Sequence, residues 1–77
     1  MHSEYLVRMA NDIGQFFKSA AEPDEAARNI QAHIKRFWDP RMRNAIIAHY
    51  QSGARDLEGP VRKAIQLLAE EAAAKAK

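Results

Sequence analysis

Phe37-Trp38-Asp39-Pro40-Arg41-Met42-Arg43 is the stretch at which one helix has to stop and another has to start. Proline disfavours the α region for the residue before it, so Asp39 cannot continue the preceding helix. Proline is at home in the first helical turn, where its missing N–H has no partner to lose. Asp39 is also a good N-cap, with a carboxylate that accepts from backbone N–H groups. The heptapeptide therefore reads as a sharp corner between two helices. It holds the only Trp of the chain, beside a Phe and ahead of two arginines.

Working outward, the same punctuation recurs. Pro23, Pro40 and Pro60 each open a stretch of helical period. There is no Thr and only two Val, and Ala, Leu, Ile, Met, Glu, Gln, Lys and Arg dominate. This is helix-forming chemistry. No stretch alternates apolar and polar residues as a strand would.

The pattern predicts four helices. The first runs from about Ser3, its cap, to Ala20, with a stripe of Leu6, Met9, Ala10, Ile13, Phe16, Phe17 and Ala20, and Glu4 set to pair with Arg8. The second runs from Pro23 to Trp38 with Ala26, Ala27, Ile30, Ile34, Phe37 and Trp38 on its stripe. Its acids, Asp24 and Glu25, stand at the start and its bases, Lys35 and Arg36, at the end, as the helix dipole favours. The third begins at Pro40, with Met42, Ala45, Ile46 and Tyr50 inward, Ile47 at the edge, and a stop at Gly53. The fourth begins near Pro60, after a turn-like Asp56-Leu57-Glu58-Gly59, with Val61, Ala64, Ile65 and Leu68 inward.

The expected fold class is all-α: a small compact domain of about four helices with proline-initiated helices, spanning 1–69. The Ala/Glu/Lys tail, 70–77, has nothing large to bury and is expected as a fraying helix or disordered segment. A chain of 77 residues makes one domain with a thin core. Such cores supply about 3–5 kcal/mol, and many are completed by metals, disulfides or partners. Cys is absent, which removes the disulfide and thiolate options.

Composition also narrows function. No apolar run reaches the roughly 20 residues of a membrane span. No basic segment leading an apolar one marks a secretory signal, so a cytoplasmic protein is expected. Lys plus Arg is 12, Asp plus Glu is 10, and the two signs are interspersed. A nucleic-acid binder concentrates bases on one face. The only basic cluster is Lys35, Arg36, Arg41 and Arg43 around the corner. A helix-turn-helix imitation at that corner is the rival reading, but Asp39-Pro40 replaces the usual Gly-containing bend.

No catalytic set appears. The serines lack a triad or elbow context, and three glycines form no phosphate loop. His33 and His49 fall on different helices with no ligand spacing, so neither metal nor cofactor binding by this chain is expected. Gly14 costs about 1 kcal/mol inside a helix. With Val7, Ala10 and Phe17 it lines a small-residue shoulder suited to close approach of another helix.

The corner is left as the candidate site. Arg41 and Arg43 stand in the first turn of a helix, where the dipole disfavours positive charge. Trp and Arg together are what binding hot spots are built from. Phe37, Trp38, Asp39, Pro40, Arg41, Met42 and Arg43 are therefore the candidate partner-binding residues. Phe37 and Trp38 diverge by about 100° on a helix, so one can enter the core while the other anchors a partner.

The heptapeptide also resembles the signature of the delta subunit of NAD-dependent, molybdenum-containing formate dehydrogenase. Leu6-Val7-Arg8-Met9-Ala10-Asn11, Ile13-Gly14, Phe16-Phe17, His33-Ile34, Ala48-His49, Gly53 and Pro60-Val61-Arg62-Lys63-Ala64 are similar to the same family, from about residue 4 to 68. The resemblance implies a non-catalytic accessory subunit of a cytosolic complex. The large catalytic subunit would carry the molybdenum cofactor and iron–sulfur clusters, and other subunits FMN and the NAD site. It implies a role in assembly, cofactor loading or stability. A transient assembly chaperone for the same enzyme is the alternative.

Overall fold

The computed structural model describes residues 3–19 and 22–75. Four helices follow in chain order: α1 Ser3–Phe16, α2 Pro23–Phe37, α3 Pro40–Gln51 and α4 Gly59–Lys75. No strand occurs among the described residues. The all-α, four-helix expectation is met. Ala20 lies outside the described residues, as does the side chain of Ser3, so the capping role expected there is not described.

The proline junctions form as the sequence dictates. Trp38 closes α2 with its N–H on the Ile34 carbonyl at 2.9 Å. Asp39 is extended (φ −73°, ψ 166°), as a residue before proline must be. Its Oδ1 accepts from the Met42 N–H at 2.9 Å. The α2 start differs. Glu22 occupies the cap position with no side-chain bond, and Pro23 alone supplies the helical geometry. Past α3, Gly53 has φ 109° and donates to the Tyr50 carbonyl at 3.0 Å, the left-handed stop for which glycine is suited.

The core lies between α2 and α4 and is closed by α1 and α3. Leu6, Ala10, Ile30, Ile34, Ile46, Ala64 and Ile65 are fully buried. The inward positions read from α4, namely Val61, Ala64, Ile65 and Leu68, are all buried. On α3 only Ile46 is buried, while Met42, Ala45, Ile47 and Tyr50 pack on the core's edge.

α1 ends at Phe16, short of the expected stop near Ala20, with residues 17–19 in a turn, and three further features depart from the expected pattern. Phe16, placed on the inner stripe of α1, is 78% exposed, whereas Val7 is buried. The buried arc of α1 is thus turned toward Val7 and Gly14, because α4 crosses there. A Cβ on Gly14 would overlap Val61 Cγ2. Second, the turn after α3 contributes to the core through Ala54 and Leu57. Asn11 holds it, donating to the Asp56 carbonyl at 3.0 Å and accepting from the Glu58 N–H at 3.2 Å. His49 and Asp56 pair across the same turn at 2.9 Å. Third, among the described residues Glu4 and Arg8 form no ion pair; the pairs that form there are Lys35 with Glu71, His49 with Asp56, and Lys75 with Glu71.

The Ala/Glu/Lys segment is helical as far as Lys75. Its hold on the domain is polar. Glu71 sits 2.7 Å from Lys35 Nζ and accepts from Gln31 Nε2 at 3.0 Å.

Candidate partner-binding surface

The corner divides its seven residues between the interior and two flanks of α2. Trp38 is 5% exposed and belongs to the core. Met42 packs against that core. Asp39 is spent on capping. Phe37 is 65% exposed and Arg41 is exposed. Of the two divergent aromatics, Phe37 is therefore the one available to a partner. Successive residues turn about 100° around a helix. With Ile34 facing the core, this sets Phe37 and His33 on one side of the buried stripe and Gln31 and Lys35 on the other.

Phe37 is not isolated. Its ring lies 4.7 Å from that of His33, centroid to centroid. His33 lies 6.1 Å from Phe17 at a steep angle. Phe17 meets Phe16 edge to face at 5.1 Å. Four rings thus run in a row from the end of α1 across α2, with Phe16 and Phe37 open to solvent at its ends. Such offset and edge-on contacts suit the ring quadrupoles. The Arg36 guanidinium stands 5.6 Å from the Phe37 centroid, a cation–π arrangement. Neither Arg36 nor Arg41 forms an ion pair among the described residues.

The sequence pattern leaves Phe37 and Trp38 as alternatives for the exposed aromatic and does not show the row. The helical period places Phe16 on the inner stripe of α1, and His33 has no ligand spacing to single it out. The signal was present in the spacing of His33 and Phe37, four apart and so stacked on one helical face. Phe17 joins them only through tertiary packing, which periodicity does not carry.

Arg43 lies on the opposite flank. It lines a cleft of about 380 Å³ with Lys35, Lys75, Glu71 and the apolar Ile47 and Leu68. Lys35 holds the Glu71 carboxyl below its ordinary value of 4.5 by hydrogen bonding, with Lys75 adding to the effect. At the far end of the molecule the His49 hydrogen bond similarly holds Asp56 below 3.8.

Among the described residues no group of three or more His, Cys, Asp or Glu side chains could hold a metal ion, and the chain has no Cys. The donor set of the described residues therefore does not fit a molybdenum, iron–sulfur or other metal centre. No helix among the described residues is long and apolar enough to cross a membrane. What the arrangement offers chemically is exposed aromatic surface beside a cation. It presents exposed rings, with the Arg36 guanidinium beside Phe37.

A family model described as NADH-dependant formate dehydrogenase delta subunit FdsD matches residues 5–65. Neither a curated protein nor a solved structure gives a significant match. The match takes in all of α2 and α3, the corner and the aromatic row, and the chain belongs to the formate dehydrogenase delta-subunit family.

Proposed function

We propose that this chain is a non-catalytic subunit that docks on the large molybdenum-bearing subunit of a cytoplasmic NAD-dependent formate dehydrogenase and supports its assembly, cofactor loading or stability. The observation that carries the docking role is the row of Phe16, Phe17, His33 and Phe37, open at both ends and flanked by Arg36. Phe37 enters an apolar pocket on the partner. Arg36 and Arg41, which form no ion pair among the described residues, meet carboxylates at the pocket's rim. Burying a ring such as Phe37 is worth about 1.5–3 kcal/mol, and charge-assisted hydrogen bonds from Arg set orientation. Molybdenum, iron–sulfur, FMN and NAD chemistry belongs to the other subunits.

Mild affinity purification of the tagged protein from cells grown on formate tests this. The expected eluate contains the large subunit, molybdenum and formate-dependent NAD reduction. Near-equal stoichiometry with the large subunit in the active complex supports a permanent subunit. Presence only with cofactor-free large subunit supports a transient assembly factor. A solitary protein, or one carrying nucleic acid, would overturn the proposal.

A further inference from the structure

The cleft between α2, α3 and α4 is cationic in a way the fold does not need. Lys35, Arg43 and Lys75 converge on it, and Glu71 is the only carboxylate among its lining residues. Both lysines are engaged with that carboxylate, at 2.7 and 3.3 Å. Arg43 is left over. Its Nε is sealed from solvent and has no hydrogen-bond partner. A buried N–H without an acceptor is costly, roughly 1–3 kcal/mol and more when charged. Native structures seldom leave such a group unless something satisfies it.

A sealed Nε is not open to an entering group, so the two terminal nitrogens of Arg43 are what the cleft can offer a partner, and its lining decides which partner that is. Ile47, Leu68, Ala72 and Pro40 form apolar walls beside the guanidinium. An aliphatic arm ending in a planar oxyanion matches this, since the Arg fork takes a carboxylate through two parallel bonds. A cleft-to-cleft contact between two copies of this chain does not match, because it would set cations against cations. We propose that the cleft receives an acidic side chain, with its adjoining segment, from a partner subunit. Arg43 forms the fork and Lys35 and Lys75 supply the surrounding positive field. The site lies on the flank of α2 opposite Phe37, so the chain is gripped from both sides of one helix. This inference rests on the docking role proposed above, and it adds a second, independent contact.

The test is equilibrium binding of the full-length chain to the purified large subunit, with Arg43→Gln and Arg43→Lys compared with wild type and with Phe37→Ala. Melting curves accompany each variant. The expected result is a native-like melting curve for Arg43→Gln with affinity at least about tenfold weaker and a shallower salt dependence. Arg43→Lys keeps the charge without the fork and is expected to fall between. Unchanged affinity for a folded Arg43→Gln, with Phe37→Ala still weakened, overturns the cleft proposal and leaves the docking role standing. No binding by wild type overturns both. Inorganic phosphate that stabilises wild type but not Arg43→Gln, beyond chloride of equal ionic strength and with complex affinity unchanged by Arg43→Gln, would mark a free-anion site and also overturn it.

Discussion

Phe37 and Trp38 are neighbours in the chain with opposite fates: Trp38 is 5% exposed and Phe37 65%. The divergence follows from helical geometry. Ile30, Ile34 and Trp38 recur every four residues and fill the interior. Phe37 falls one position off that row and joins His33 on the surface.

Trp38→Ala is accordingly a stability variant. Truncating a buried aromatic costs about 3–5 kcal/mol, which equals the whole net stability of a typical core this small. Circular dichroism is expected to show a largely unfolded chain at room temperature. Trp38→Phe is expected to remain folded with a lowered melting temperature.

Gly14→Ala separates helix propensity from packing. Alanine gains about 1 kcal/mol of propensity, but its Cβ overlaps Val61 Cγ2, a stiff β-branched side chain in a buried position. Overpacking costs about 1–3 kcal/mol, so the single substitution destabilises. In a Val61→Ala background the overlap is gone and the same substitution stabilises. Denaturant midpoints of the four proteins in this cycle measure the reversal.

The helices were legible because their boundaries are chemical. Pro23, Asp39-Pro40, Gly53 and Pro60 mark starts and stops that depend only on local backbone geometry. The α4 stripe was legible because its large apolar residues leave a single choice of face. On α1 the choice was ambiguous. Phe16 and Val7 compete for the interior, and a tertiary event, the approach of Val61 to Gly14, settles it. Leu57 sits within turn chemistry and is buried by the Asn11 bridge to residues far along the chain. At the site, the exposed end of the corner could be narrowed to Phe37 or Trp38 from sequence, whereas the contribution of α1 could not.

Acid is expected to loosen two tethers. Asp56 and Glu71 both have folded-state pKa values below their ordinary 3.8 and 4.5, held there by His49 and by Lys35. Each therefore contributes stability that is present above those ordinary values and lost as pH falls through the lower folded-state values. Both pairs are solvated, so each contribution is modest. Asp56→Asn and Glu71→Gln are expected to flatten the acid limb of a stability-against-pH curve and to lower the neutral plateau slightly. Chemical denaturation across the acidic range measures both effects.

Phe37→Ala carries the central claim, because this ring contributes little to the core and, on this account, much to the partner. A surface substitution changes stability by about 0.5 kcal/mol or less, while a hot-spot truncation costs about 2 kcal/mol or more in binding. The decisive measurement is the dissociation constant of wild type and Phe37→Ala with the purified large formate dehydrogenase subunit, with melting temperatures recorded alongside. The account predicts near-identical melting and affinity weakened about thirtyfold or more. Full affinity in a folded Phe37→Ala protein would contradict it.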